Sequence, residues 1–161
     1  MRTLVMSLSG LAAGLLVLAG SASAAAVQTA PPAASAQNAE SIAAAMKVLD
    51  DFMTAFNARD VAAYDKTFNF PSVRLASNTL TILQPGSHKP EMFTTGSLKE
   101  WDHSAWQKRE VIHAGPDKVH INTRFARFRK DGSVLGGFDS IYVVTKVNGH
   151  WGIKARSSYA P

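Results

Sequence analysis

Few side chains in this sequence have the type and spacing to do chemistry. The five histidines, His88, His103, His113, His120 and His150, include no His-x-Glu pair and no two imidazoles four residues apart. Metal sites need convergent ligands, so no metal is expected. His113 ends a β-rich run and carries the ring best suited to proton transfer near neutral pH. Serines occur without a Gly-x-Ser-x-Gly, and Ser157-Ser158 lie in a strand-like run, which argues against a nucleophile on a sharp turn. Gly136-Gly137 stands alone, a bulge signal and no phosphate cradle, and no cofactor is expected. Arg74, between Val73 and Leu75, has the forked donors that clamp a carboxylate. Alternation sets it opposite its neighbours: on the surface if they are core, at a pocket mouth otherwise. Asn69 offers both donor and acceptor, and Trp101 a stacking wall with one N–H.

These residues must be positioned by elements that the hydrophobic pattern reveals. Ile42, Ala45, Met46, Leu49, Phe52, Met53 and Phe56 follow the i, i+3, i+4 spacing of an amphipathic helix over Ser41–Phe56. Asp60 is placed to cap a second helix, Val61–Phe68, which Pro71 ends. Val73–Leu75 and Thr79–Leu83 read as short strands. Ser97-x-x-Glu100 reads as a capping box for a short helix through Trp101. The period then changes, and four β-rich runs follow at 106–113, 118–129, 134–146 and 150–158. Between them lie Gly115-Pro116-Asp117, Asp131-Gly132 and Asn148-Gly149, all turn signals. Helices first and an antiparallel meander afterwards argue an α+β domain.

The last hairpin can be folded on paper. A two-residue turn at Asn148-Gly149 pairs Val147 with His150, Val144 with Ile153, Tyr142 with Ala155 and Ile141 with Arg156. Ser140, Tyr142, Val144, Trp151, Ile153, Ala155 and Ser157 then face the helices. Asp139, Ile141, Val143, Lys154, Arg156 and Ser158 face away. Placing Arg156 outside rests on that turn. A two-residue loop at Asp131-Gly132 sets Arg124 opposite Asp139, next to Arg156. A three-residue loop, or a bulge at Gly136-Gly137, would shift that ladder by one and exchange its faces.

The chain ends supply compartment. Residues 1–24 carry one charge, Arg2, then an apolar run from Leu11 to Ala19 and small residues with Ala22 and Ala24 at −3 and −1, the pattern of a secretory signal peptide. The apolar run falls short of the roughly 20 residues that span a bilayer, so no stable membrane insertion is expected after cleavage. Residues 25–37, rich in Ala, Pro, Ser and Gln, read as a flexible linker, leaving 38–161 as the domain. With no cysteine among 161 residues, the core alone holds the fold. The net charge is +5, and loss of Arg2 lowers it by one. Its basic residues are dispersed, which argues against nucleic acid. A secreted or periplasmic location is expected.

A long helix ending in FNARD, a second short helix, a strand after Phe70-Pro71 and long strands ending in NGHWGI resemble the nuclear transport factor 2-like superfamily, in its SnoaL-like branch. The resemblance covers Ala39 to Pro161 and is most specific in FMTAFNARDVAAYDKTF and DSIYVVTKVNGHWGI. It implies a cone: a strongly curved antiparallel sheet wrapped around two to three N-terminal helices, with a pocket at the open end and, in many members, a homodimer through the sheet. Fold says little about function here. Aligned on Asn57-Ala58-Arg59-Asp60 and Gly149, the ketosteroid isomerase positions hold Phe52, Ala76 and Ile141, all apolar, so that chemistry is not expected. Kinase association domains of the superfamily line the pocket with arginine. Tyr142 stands at one such position, and Arg124 matches a second only with a one-residue gap.

The resulting expectation is an exported single-domain protein whose pocket binds a small, partly apolar ligand, with a carboxylate as one option. Its pocket candidates are Asn69, Arg74, Trp101, Thr123, Ser140, Tyr142 and Ser157. Arg124, Asp139 and Arg156 form the expected outer-face charge cluster or dimer interface. The alternatives are an isomerase, dehydratase or hydrolase using Tyr142, Asp139 or His113, or a homodimeric assembly module.

Overall fold

The computed structural model describes residues 32–161. The signal segment and residues 25–31 of the linker lie outside the described residues. The first helix, α1, runs Pro32–Ala58, so the last part of the stretch read as linker is helical. Its stripe of Ala45, Val48, Leu49, Phe52 and Phe56 is buried, the spacing by which one helix face meets a sheet. Arg59, at φ 57°, turns the chain out of the helix. Asp60 then caps α2 (Val61–Asp65), its carboxylate accepting from the Ala63 N–H at 2.9 Å. This helix stops short of Phe68. The last strand recruits that segment first, with the Ile153 N–H donating to the Thr67 carbonyl at 2.8 Å.

Six strands follow: β1 (Phe68–Ala76), β2 (Thr79–Leu83), β3 (His103–Ala114), β4 (Lys118–Phe128), β5 (Val134–Val147) and β6 (His150–Ser158). They form one curved sheet in the order β2-β1-β6-β5-β4-β3, closing on α1 as an α+β cone. The expected antiparallel sheet is in fact mixed, because β1 enters beside the last strand and runs parallel to it. Between β2 and β3 the chain makes two 3-10 turns, Pro90–Phe93 and Gly96–Leu98. The expected capping box does not form there. Glu100 instead accepts from Arg129 Nε at 2.9 Å, and Ser97 Oγ accepts from Arg127 Nη1 at 3.1 Å.

Tyr142, Leu49, Ile121, Ile153, Val119 and Val144 have the largest fully buried side chains. At about 1.5–3 kcal/mol for each large apolar side chain, this seam between α1 and the inner sheet face holds the domain without disulfides.

Two registers decide which residues enter the cone. The Asn148-Gly149 turn has two residues, with φ 51° and 83°, and pairs Val147 with His150, as a type I′ hairpin requires. Val144 still pairs with Ile153, yet Val143 pairs with Ala155, so Lys154 is an additional residue in the ladder. From that bulge onward every β6 side chain changes face. Arg156 lies opposite Tyr142, Ser157 opposite the exposed Ile141, and Ser158 opposite the buried Ser140. The turn was read correctly; the face of Arg156 was not. The physical reason lies on the other edge of β6, where β1 pairs irregularly, Phe68 with Ile153 and then Val73 with Ala155. Gly152 packs so tightly there that a Cβ would stand 2.7 Å from the Phe68 carbonyl carbon.

In the preceding hairpin two shifts cancel. The Arg129 N–H donates to the Ser133 carbonyl at 2.9 Å, giving a three-residue loop. Leu135 is then the extra residue between the Phe128–Val134 and Arg127–Gly136 pairs. Arg124 and Asp139 therefore end up paired after all.

Candidate functional site

The inner face of the cone collects three arginines. On β1, Ser72, Arg74 and Ala76 alternate inward while Val73 and Leu75 point out. On β4, Val119, Ile121, Thr123, Phe125 and Arg127 share the inner face, so plain alternation sets Arg127 inside. Arg156 is turned in by the bulge. Arg74, Arg156 and Tyr142 form one cross-strand row. All three arginines line a cavity of about 490 Å3, within the range of small-molecule sites. Its walls are Phe52 and Phe56 from α1, Tyr64 from α2, Phe68 from β1, Leu83 and Leu98.

The arginines' protein partners carry hydroxyls and main-chain oxygens. Arg127 Nη1 donates to Ser97 Oγ at 3.1 Å, Arg156 Nη2 to Ser158 Oγ at 3.0 Å, and Arg74 Nη2 to the Pro161 oxygen at 3.4 Å. Among the described residues no Asp or Glu side chain pairs with any of them. Burial, then the charges of Arg156 and Arg74, pull the Arg127 guanidinium down to about 10, which leaves it cationic at neutral pH. Burial followed by Arg156 also lowers Arg74. Desolvation disfavours the charged form, and like charges add to that.

Below the arginines lies a chamber of about 20 Å3, bordered by Phe52, Met53, Phe125, Tyr142, Arg127 and Arg156. That is room for about one water-sized group. The Tyr142 hydroxyl and the Nε atoms of Arg127 and Arg156 are buried without a hydrogen-bond partner among the described residues. Such orphaned donors are rare in folded proteins. Burial holds the Tyr142 phenol above its ordinary range, against the lowering pull of Arg156, Arg127 and Arg74. Tyr142 is therefore a neutral donor here.

The other expected pocket residues fall elsewhere. Asn69 is a buried clasp: its Nδ2 donates to the Thr145 carbonyl at 2.7 Å, and its Oδ1 meets His150 Nδ1 at 2.9 Å. Trp101 is core, not rim, with Nε1 donating to Ser104 Oγ at 2.9 Å. Thr123 and Ser140 do face inward, but their hydroxyls donate to the Ser140 carbonyl at 3.1 Å and to Ser158 Oγ at 2.7 Å. Ser157 is exposed on the outer face, where Arg156 had been expected. On that face Arg124 pairs with Asp139 at 2.8 Å without Arg156. His113 is exposed beside His120, outside the cavity. Among the positions compared with the isomerases, Phe52 and Ala76 are buried and Ile141 faces outward. Among the described residues no three His, Asp or Glu side chains converge as metal ligands, and no helix is long and apolar enough to cross a membrane.

Sequence reasoning missed Arg127 and His88. Arg127 carried a usable signal, since it shares the parity of Thr123. His88 reaches the cavity from an aperiodic loop, where no local pattern marks it.

Solved structures share this architecture at low identity. A protein of unknown function with a cystatin-like fold from Nostoc punctiforme superposes with a TM-score of 0.60 at 14% identity, covering 73% of this chain and 88% of that one. A ketosteroid isomerase-like protein from Erwinia carotovora atroseptica gives 0.57 at 18% identity, over 74% and 95% of the two chains. An NTF-2 like protein of unknown function from Shewanella oneidensis gives 0.58 at 14% identity, over 74% and 97%. These likenesses concern the fold alone. No curated protein matches the sequence. A family model does, over residues 40–161, the segment that builds the cone and supplies all three inward arginines, and the chain belongs to that family, NTF2-like protein (DUF6841).

Proposed function

We propose that this protein is exported and holds a small, partly apolar carboxylate in the cone. One observation carries the reading: Arg74, Arg127 and Arg156 face a cavity walled by Phe52, Phe56 and Phe68, and among the described residues no acidic side chain pairs with them. Guanidinium forks match carboxylate geometry. The aromatic walls suit an apolar body, and the orphaned Tyr142 hydroxyl gives the bound oxygen a neutral donor. Catalysis has less support. Of the groups considered for it, Asp139 and His113 stand outside the cavity, and Tyr142 alone lines the inner chamber.

Thermal unfolding in the presence of benzoate, benzamide and benzyl alcohol tests the reading. Benzoate should raise the melting temperature in proportion to the logarithm of its concentration, and its two neutral analogues should not. Equal behaviour of all three, or no shift with benzoate, removes the proposal. The export signal supports a secreted or periplasmic location, which N-terminal sequencing of the protein from fractionated cells checks by finding Ala25 first.

A second reading concerns assembly. The outer sheet face carries Ile82, Val73 and Val143 in one cross-strand row and Leu80, Leu75 and Ile141 in the next. Five of these, Leu80, Ile82, Ile141, Val73 and Leu75, are exposed by 64%, 58%, 45%, 38% and 37%. On β6 the two rows are bridged by Ala155 and Ser157; exposed apolar surface of this kind marks an interface, and we infer a homodimer across it. Sedimentation should find a dimer that Ile141→Lys dissociates; a monomer at high protein concentration discards the idea.

A further inference from the structure

The cavity wall holds a further polar group, which the arginines do not engage. His88 enters from the loop after β2 and lines the cavity wall. Its ring packs against Tyr64 and Phe68, with centroids 4.8 and 4.9 Å away, and only 9% of its side chain is exposed. Its Nδ1 meets Asp65 Oδ1 at the end of α2, and Asp65 itself is not part of the cavity wall. An ionised carboxylate can only accept, so Nδ1 carries the hydrogen, and in the neutral ring Nε2 becomes an acceptor. Among the described residues no protein group bonds Nε2. A histidine whose tautomer is fixed from behind by a carboxylate presents one defined nitrogen to a ligand.

We propose that the Asp65–His88 pair is a second binding subsite, and that the cavity takes hydroxylated carboxylates. The carboxylate lies on the arginines, the apolar body runs along Phe52, Phe56 and Phe68, and the hydroxyl donates to His88 Nε2. This rests on the carboxylate reading above and adds a requirement at the His88 wall. His88 is a binding residue, and Asp65 is a positioning residue that acts through it.

Calorimetric titration of the full chain with benzoate, 3-hydroxybenzoate and 4-hydroxybenzoate tests this. One hydroxylated isomer should bind about three- to tenfold tighter than benzoate, the worth of one neutral hydrogen bond. In His88→Phe the ratio of hydroxybenzoate to benzoate affinity should fall to about one, whatever the variant does to benzoate itself. Asp65→Asn should reduce it too, because the amide can donate to Nδ1 and move the ring proton to Nε2. If benzoate binds and neither isomer binds tighter, or if the advantage survives His88→Phe, the subsite is refuted and the arginine site stands. If benzoate does not bind at all, both readings fall. A nitrogen-15 spectrum of the wild-type imidazoles gives a check independent of variant folding. The Nδ1–H tautomer is expected for His88, and an Nε2–H tautomer overturns the proposal.

Discussion

Arg127→Met separates a guanidinium kept for binding from one kept for stability. Arg127 is only 6% exposed, and burial with Arg156 and Arg74 nearby lowers it from the ordinary arginine value to about 10. At 1.36 kcal/mol for each pKa unit, that strain has an upper limit of about 3 kcal/mol. Solvent at the open mouth screens it, and about half is a fairer figure. Against this, the variant loses the bond to Ser97 and the contact with the Phe138 ring, whose centroid lies 5.1 Å from the guanidinium carbon. Together these contribute about 1–2 kcal/mol. Methionine keeps most of the volume. The terms nearly cancel, so the ligand-free variant should be within about 1 kcal/mol of wild type, on either side, by urea denaturation. Its affinity for benzoate should fall by tenfold or more, the cost of losing a charged hydrogen bond. A stability loss beyond about 2 kcal/mol with unchanged benzoate binding would make Arg127 an ordinary structural residue and refute the reasoning.

Tyr142→Phe removes a buried hydroxyl that has no partner among the described residues; denaturation should show no loss of stability, or a gain of up to about 1 kcal/mol, while benzoate binds more weakly. Gly152→Ala places a methyl 2.7 Å from the Phe68 carbonyl carbon and 2.8 Å from the Asn69 nitrogen, and should cost about 2–4 kcal/mol by the same assay. The exposed Arg124–Asp139 pair should show a coupling below about 1 kcal/mol in a double-mutant cycle with alanine, fading in high salt.

Most of the fold could be read locally. The apolar stripe of α1, the Asp60 cap and the Asn148-Gly149 turn each depend on neighbours within a few residues, and each is found in place. The site was harder to read because it depends on parity carried along strands, and on loops packed from a distance. Arg74 and Arg127 follow from simple alternation. His88 follows only from packing on Tyr64 and Phe68, which no local pattern in the loop announces.

Arg156 is the instructive case, because a correct turn gave the wrong face. A regular ladder would have kept Ala155 opposite Tyr142 and sent Arg156 outward, an arrangement adequate for a core. The chain instead carries an extra residue at Lys154, which interrupts the ladder and leaves the Arg156 Nε buried and unpartnered. Both effects oppose stability, and the bulge aims a third cation at two others that already repel it. The close packing of β1 on Gly152 accounts for the extra residue, but it gives no reason for an arginine at the position the bulge turns inward. A bound anion does, because it would neutralise the repulsion and fill the orphaned donors together. Bulges recur beside functional sites because they re-aim one side chain while leaving the strand in its sheet. An arginine at the re-aimed position is therefore an argument for the carboxylate reading proposed above.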